Sequence, residues 1–212
     1  MANAHDLLMA QRAAMMGGKL PYLRRVAYLE SHGTEYIDTG IIPNDHMSYA
    51  KFMFKSNTNN VCHIAGCWNP NNYRYYLAYY KRQQNSIVIV NKLDNVVLQR
   101  TIDGEIHEVY RCFETKSQSV FDNILITGDF DCSGCVAPVL LFCIDYNGQP
   151  YNFSKSRIYR FTMLKLSSYK KVIDLIPVIS LDGEPCFYDQ VSGKFFYNQG
   201  EGEFTWGELD AT

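Results

Sequence analysis

Three groups of residues in this chain have side chains that could do chemistry, and the first is its acids. Cleaving a glycosidic bond takes two carboxyl groups roughly 5 to 10 Å apart. On a strand that means acids at alternating positions on one face, as in E-x-D-x-E. The chain has no such run. Asp129 and Asp131 alternate in GDFDCSG, but they stand at a turn beside Gly128 with no third acid. Glu201 and Glu203 flank Gly202, and Glu105 and Glu108 fall on opposite faces of a predicted strand. The second group is sulfur. Cys132-Ser133-Gly134-Cys135 is a C-x-x-C, and with Cys62, His63 and Cys67 it offers the thiolate and imidazole ligands that zinc prefers. The spacing of that partner group is not a common zinc knuckle. A disulfide, or thiols that simply pack as small apolar groups, are the other readings. The seven Cys are odd in number and irregularly spaced, which argues against a full disulfide framework. There is no G-x-S-x-G, no phosphate-cradling loop and no G-x-G-x-x-G before a helix. The five His are scattered. These residues therefore assign no catalytic group, no cofactor and no metal ligand.

The third group is the best candidate for binding. The stretch from Trp68 to Arg82 reads WNPNNYRYYLAYYKR. Taken as one strand, its alternation puts Tyr73, Tyr75, Leu77 and Tyr79 on one face and Arg74, Tyr76, Ala78, Tyr80 and Arg82 on the other. The first set reads as core. The second mixes flat rings with cationic heads, which suits stacking on a sugar ring or a protein contact. An ordinary solvent face with amphipathic Tyr is the plain alternative. Trp68, Arg74, Tyr76, Tyr80 and Arg82 are the predicted contact residues.

The elements that must position these groups are almost all strands. Residues 3 to 16 read as a helix, with Asn3 as N-cap and Gly17-Gly18 as the stop. Leu7, Leu8 and Met15 lie on its apolar stripe, which Gln11 interrupts. So short a helix needs a dock, and these four residues are the predicted anchor. From Pro21 onward short β-type runs follow one another with turns every 8 to 15 residues. Asp103-Gly104 marks a predicted hairpin between Val96–Ile102 and Glu105–Phe113. Val120–Thr127 reads as one strand, and Val136–Tyr146 as another, buried on both sides and ending at Asn147-Gly148. Turn dipeptides recur at Asp182-Gly183 and Ser192-Gly193. The pattern is that of an all-β antiparallel sandwich. The domain division is a helical extension at 1–20 and one β-domain at 21–212.

Composition bounds the function. The chain has 212 residues, 47% hydrophobic and 20% charged, as in an ordinary globular protein. Sixteen Tyr and twelve Phe suit strands and contact surfaces. A net charge of −2 argues against a dedicated nucleic-acid partner. No apolar stretch is long enough for a membrane span. His5, Asp6, Gln11 and Arg12 interrupt the N-terminus where a cleaved secretion signal would be apolar. The expectation is synthesis in a cytoplasm.

Two strings carry a resemblance. YLESHGTEYIDTGIIPN (28–44) and RIYRFTMLK…VIDLIPVISLDGEPCFYDQVSGKFFYNQGEGEF (157–204) resemble the laminin-G-like, concanavalin A-like jelly-roll domains found in structural proteins of phages and prophages of gut bacteria. The matching positions are Tyr36 to Gly40, Ile158-Tyr159, Asp174 to Pro177, Tyr188-Asp189, Val191 to Tyr197 and Gly200 to Phe204. Arg157 stands where the pattern has Gly. The two strings cover about a third of the chain and bracket the rest. The resemblance implies a concanavalin A-like sandwich in a head fibre, capsid decoration or tail component; that superfamily also holds glucanases, and it is the missing carboxylate pair that makes the expectation non-enzymatic. The chain's helix would tether it to other virion proteins, commonly as a homo-oligomer. The alternative is a lectin-like adhesion module for a bacterial surface glycan. The motif residues themselves read as structural. Asp174 and Tyr188-Asp189 look sheet-closing, and Gly193 supplies a positive φ.

Overall fold

A computed structural model describes residues 20–55, 61–68, 74–81, 85–90, 95–101, 104–112 and 114–209. The predicted helix, with Leu7, Leu8, Gln11 and Met15, lies outside the described residues, and so does Arg82. Among the described residues every regular element is a strand.

In chain order, the first third holds β1 (Arg24–Arg25), β2 (Tyr28–His32), β3 (Ile37–Asp38), β4 (His46–Phe54), β5 (Val61–His63), β6 (Ala65–Trp68), β7 (Arg74–Tyr76) and β8 (Tyr79–Lys81). The middle holds β9 (Ser86–Val90), β10 (Val96–Thr101), β11 (His107–Arg111), β12 (Gln118–Phe121), β13 (Ile124–Thr127), β14 (Leu140–Leu141), β15 (Ile144–Tyr146) and β16 (Gln149–Tyr151). The end holds β17 (Lys155–Lys165), β18 (Lys171–Ile179), β19 (Pro185–Asp189), β20 (Phe195–Phe196) and β21 (Thr205–Gly207).

A large antiparallel sheet runs β13-β12-β11-β4-β17-β18-β19-β20, with β2 and β21 continuing from one end of β17 and β1 beside β18. Its spine is β4 against β17. β4 alternates strictly, with Ser48, Ala50, Phe52 and Phe54 buried and the residues between them half-exposed, because HMSYAKFMF sets small or apolar side chains two apart. β17 keeps that face through a bulge between Ile158 and Arg160, which lets Ile158, Phe161 and Met163 all point inward. The opposing layer consists of two smaller sheets, β10-β9-β8-β5 and β16-β15-β6-β14-β3, with β7 beside β6. One core joins the layers. Phe52, Phe54, Phe161 and Leu175 of the large sheet pack with Ile64, Cys67, Tyr75, Ile87 and Ile89 of the small ones. The fold is thus an all-β sandwich.

β18 is buried on both faces. Ile173 and Leu175 face the core, while Ile176 and Val178 pack on the outer side with Tyr22 and Cys186. Asp174 also faces outward. It accepts hydrogen bonds from Arg160 Nε at 3.0 Å, Arg160 Nη2 at 2.8 Å, Thr162 Oγ1 at 2.9 Å and Lys171 Nζ at 2.5 Å. Asp189 closes the next turn by accepting from the amides of Asp174, Val191 and Ser192 and from the Ser192 hydroxyl. Gly193 then takes a φ of 75°. Both acids therefore do the sheet-closing work that the sequence assigned to them.

Four expectations change. Val96–Ile102 and Glu105–Phe113 do not form a hairpin across Asp103-Gly104: β10 pairs with β9 in a small sheet, and β11 pairs with β4 and β12 in the large one. β10 and β11 thus lie in different layers, which local turn chemistry does not encode. Val120–Thr127 is not one strand. Asp122 and Asn123 at φ 46° and 66° make a two-residue turn between β12 and β13. Val136–Tyr146 is broken at Phe142, whose φ is 67°. Before the break β14 runs antiparallel to β6, and after it β15 runs parallel to β6. The aromatic stretch at 74–81 is also two strands in different sheets, β7 and β8.

Candidate functional site

The break between β7 and β8 decides which predicted contact residues come together. Leu77 and Ala78 carry the chain from one small sheet to the other, and both are buried. A single alternation therefore cannot run across them. Tyr80 is the clearest correction. It is not on a contact face but in the core, 4% exposed, with its ring 6.1 Å from Phe54 and its hydroxyl donating to Asn85 Oδ1. Tyr75 and Leu77 are core residues, as predicted, and Tyr79 is buried in a second small cluster with Val88, Val90 and Ile144. Tyr76 pairs with Gly66 along the β6–β7 ladder.

Trp68 ends β6, and its backbone faces Arg74 of β7 on one side and Tyr146 of β15 on the other. Its half-buried ring lies 4.5 Å from that of Tyr146, tilted by 44°. Tyr146 is in turn 5.6 Å from Tyr151 of β16, which is half exposed. The β15–β16 turn that brings these two together is Asn147-Gly148, both at positive φ. Beneath them Asp145 is buried and accepts from the Gly148 amide at 2.8 Å. Burial pushes its carboxyl above the ordinary value. The result is a row of three rings, Trp68, Tyr146 and Tyr151, with Arg74 in the strand alongside. Such a row can stack on a flat, weakly polar partner. Trp68 and Arg74 are legible in the sequence. Tyr146 and Tyr151 are not, because only the pairing of β15 with β6 brings them to Trp68. The sole local hint is the Asn-Gly turn between them.

Glu30, Glu35, Asp129 and Asp131 are held in structural roles. Glu30 accepts from Lys55 and Arg157, and the Arg157 guanidinium lies 4.2 Å over the Tyr28 ring. Glu35 is buried and accepts from Ser31 Oγ and the His32 and Thr34 amides. Burial alone would raise its carboxyl, yet these bonds hold it below the ordinary value. Asp129 and Asp131 organise the turn before the C-x-x-C, where Asp131 also meets Lys116 and Ser133. Asp182, Glu184 and Glu203 line a cavity of about 320 Å³ with Asn198 and Phe204.

The C-x-x-C has Cys67 beside Cys135 and Cys112 beside Cys132. His63 is buried against Tyr79, and burial lowers its imidazole to about 3, which keeps it neutral. Among the described residues, no group of three or more His, Cys, Asp or Glu is set to hold a metal ion.

The two segments that carry the resemblance interlock. β2 pairs with β17 and with β21. Asn198 Oδ1 accepts from the Tyr36 and Gly200 amides, its Nδ2 donates to the Gly200 and Gly202 carbonyls, and the Gln199 amide donates to the Tyr36 carbonyl. Gly200 sits so close to Thr34 that a Cβ would lie 1.9 Å from its carbonyl oxygen. Gly202 has a φ of 79° beside Glu35, and Phe204 enters the core. The G-x-G-x-F string is thus a clasp over residues 34–36. No protein-family model matches the chain, and no curated protein matches it either.

Proposed function

We propose that the protein is a non-enzymatic virion structural or display module. It would present a concanavalin A-like jelly roll from a phage-type head fibre, capsid decoration or tail, tethered through residues 1–20. One observation carries the reading: the segments that resemble phage structural proteins are the ones that clasp each other, so what they encode is a scaffold. Asp129 and Asp131 are engaged in a turn and an ion pair, which favours a scaffold as well. Truncation at residue 20 provides the test. The shortened protein should keep its β-type circular dichroism and cooperative melting while failing to join particles. Normal incorporation of the truncated protein would overturn the tether. Sedimentation of the intact protein checks the homo-oligomer that the reading carries with it.

The ring row supports a second reading, a lectin-like module for a bacterial surface polysaccharide. Calorimetry with capsular polysaccharide separates the two. Heat that disappears in a Trp68→Ala, Tyr151→Ala double variant supports glycan binding, and silence at millimolar sugar removes it.

A further inference from the structure

The large sheet ends at β13, and that edge is open. β13 reads Ile-Leu-Ile-Thr, with no charge and no Pro. In an antiparallel ladder, successive residues turn their backbone groups to opposite sides. Two bonds fix which side is which. The Asp122 amide donates to the Glu108 carbonyl of β11, and the Gly128 amide donates to the Ser117 carbonyl. Asp122 therefore faces β11, while Phe121 and Ser119 face β13. Their partners Ile124 and Ile126 direct their own groups to β12. Leu125 and Thr127 are left aiming an N–H and a C=O each away from β12, and among the described residues no strand pairs with β13 on that side. Both residues are exposed, Leu125 at 55%. An open edge is ordinarily blunted by a charge, a Pro, a bulge or shortness. The other sheet ends follow that rule. β16 carries Pro150, β10 has a bulge and Arg100, β5 has three residues, and β3 and β20 have two each.

We propose that β13 is a dimer edge: it pairs antiparallel with the β13 of a second copy of this chain, about a two-fold axis at Ile126, and joins the two large sheets into one. The strand is complementary to its own copy. This register sets Leu125 opposite the second copy's Thr127, and Thr127 opposite the second copy's Leu125. Each couple exchanges two N–H···O=C bonds, so every outward group of both strands is satisfied. Ile126 meets its counterpart on the core-facing side, where it is already 7% exposed within its own sheet. Ile124, 39% exposed, comes opposite the second copy's Gly128. Gly128 has no side chain, and the space above it is bordered by Phe130 and Val97, 3.5 and 3.7 Å from where a Cβ would stand. The Ile124 side chain thus gains an apolar seat. No charge opposes another along the run. A two-fold contact also closes on itself, which converts an open edge into a finite dimer rather than a fibre. The display reading expects a homo-oligomer, and this edge gives it a surface; the pairing itself rests on β13 and not on where the module is displayed.

Sedimentation equilibrium of the full chain tests the pairing, with amide hydrogen exchange as a second readout. A monomer–dimer equilibrium is expected. As concentration rises through it, exchange at the Leu125 and Thr127 amides should slow by about tenfold, while the Ile124 and Ile126 amides, already bonded to β12, should not change. Leu125→Pro removes a donor that faces the open edge and leaves the bonds to β12 in place. It should weaken the dimer by about tenfold or more, with an unchanged circular dichroism spectrum. Leu125→Lys keeps the backbone donor and sets a cation at the junction, so it should weaken the dimer even where the Pro variant fails to fold. A chain that stays monomeric at about 1 mM overturns the proposal together with the expected homo-oligomer. An oligomer that the Lys variant leaves intact, or one whose Leu125 and Thr127 amides exchange as fast as in the monomer, overturns β13 as its surface and leaves the display reading standing.

Discussion

Removing the carboxylate of Asp174 should be the most damaging single change on the outer face of the large sheet. Asp174 is 1% exposed and receives four side-chain hydrogen bonds, two from the Arg160 fork, one from Thr162 and one from Lys171. Breaking a buried ion pair from one side typically costs about 3–5 kcal/mol, because the other charge is left desolvated. Here Arg160 and Lys171 keep side-chain exposures of 36% and 45%, so their heads can turn to water. That places Asp174→Ala at the low end, about 3 kcal/mol. With a urea slope of about 2 kcal/mol per molar, the unfolding midpoint should fall by about 1.5 M. Acid adds a second signature. Burial alone would raise the Asp174 carboxyl, but the Arg160 and Lys171 hydrogen bonds outweigh it and hold the group below its ordinary value. A depressed folded value means the contribution is complete above the unfolded-chain value of about 3.9 and is lost as pH falls through the lower folded value. The variant should therefore lose less stability than the parent between pH 5 and 2, scanned by urea melts at each pH. A variant within 1 kcal/mol of the parent at pH 7, with an unchanged acid limb, would refute the reasoning.

Other substitutions test other contacts. Gly200→Ala should cost 3 kcal/mol or so in urea melts, because the new methyl meets the Thr34 carbonyl. It should also speed exchange of the Gln199 amide. Asn123→Gly should be close to neutral and Asn123→Val should cost about 1–2 kcal/mol, since residue 123 has φ 66° in a turn that wants two positive values. Tyr75→Phe should cost about 1–3 kcal/mol by stranding the buried Ser48 hydroxyl. Adding Ser48→Ala should recover part of that, which a double-mutant cycle in thermal melts can measure.

What the sequence made legible was local. The alternation of β4, the apolar run of β18 and the turns at Gly183 and Gly193 all follow from side-chain period and glycine conformation. The link between the two ends of the domain was also readable, and β2 does pair with β17 and β21. The middle was less so. Asp103-Gly104 has the chemistry of a hairpin, but which layer each flanking strand joins depends on partners far along the chain. Phe142 is a bulky residue at positive φ, which no propensity anticipates; its ring is held against Phe187 and Phe204 in the core. Tyr80 is a strand Tyr by any local measure, and only the crossing at Leu77-Ala78 turns it inward. For the same reason the ring row was half visible: Trp68 stands out in the sequence, while Tyr146 and Tyr151 depend on a parallel pairing with β6.

The placement of β2 between β17 and β21 has a consequence for synthesis. One edge of this early strand is satisfied by residues 155–158 and the other by 205–207. A ribosome adds on the order of 5–20 residues per second, so β2 waits roughly ten to thirty seconds for its last neighbour. Throughout that interval it offers unpaired amides and carbonyls to any passing strand. The nascent protein thus emerges with that edge open and can shield it only once residues 205–207 have been made.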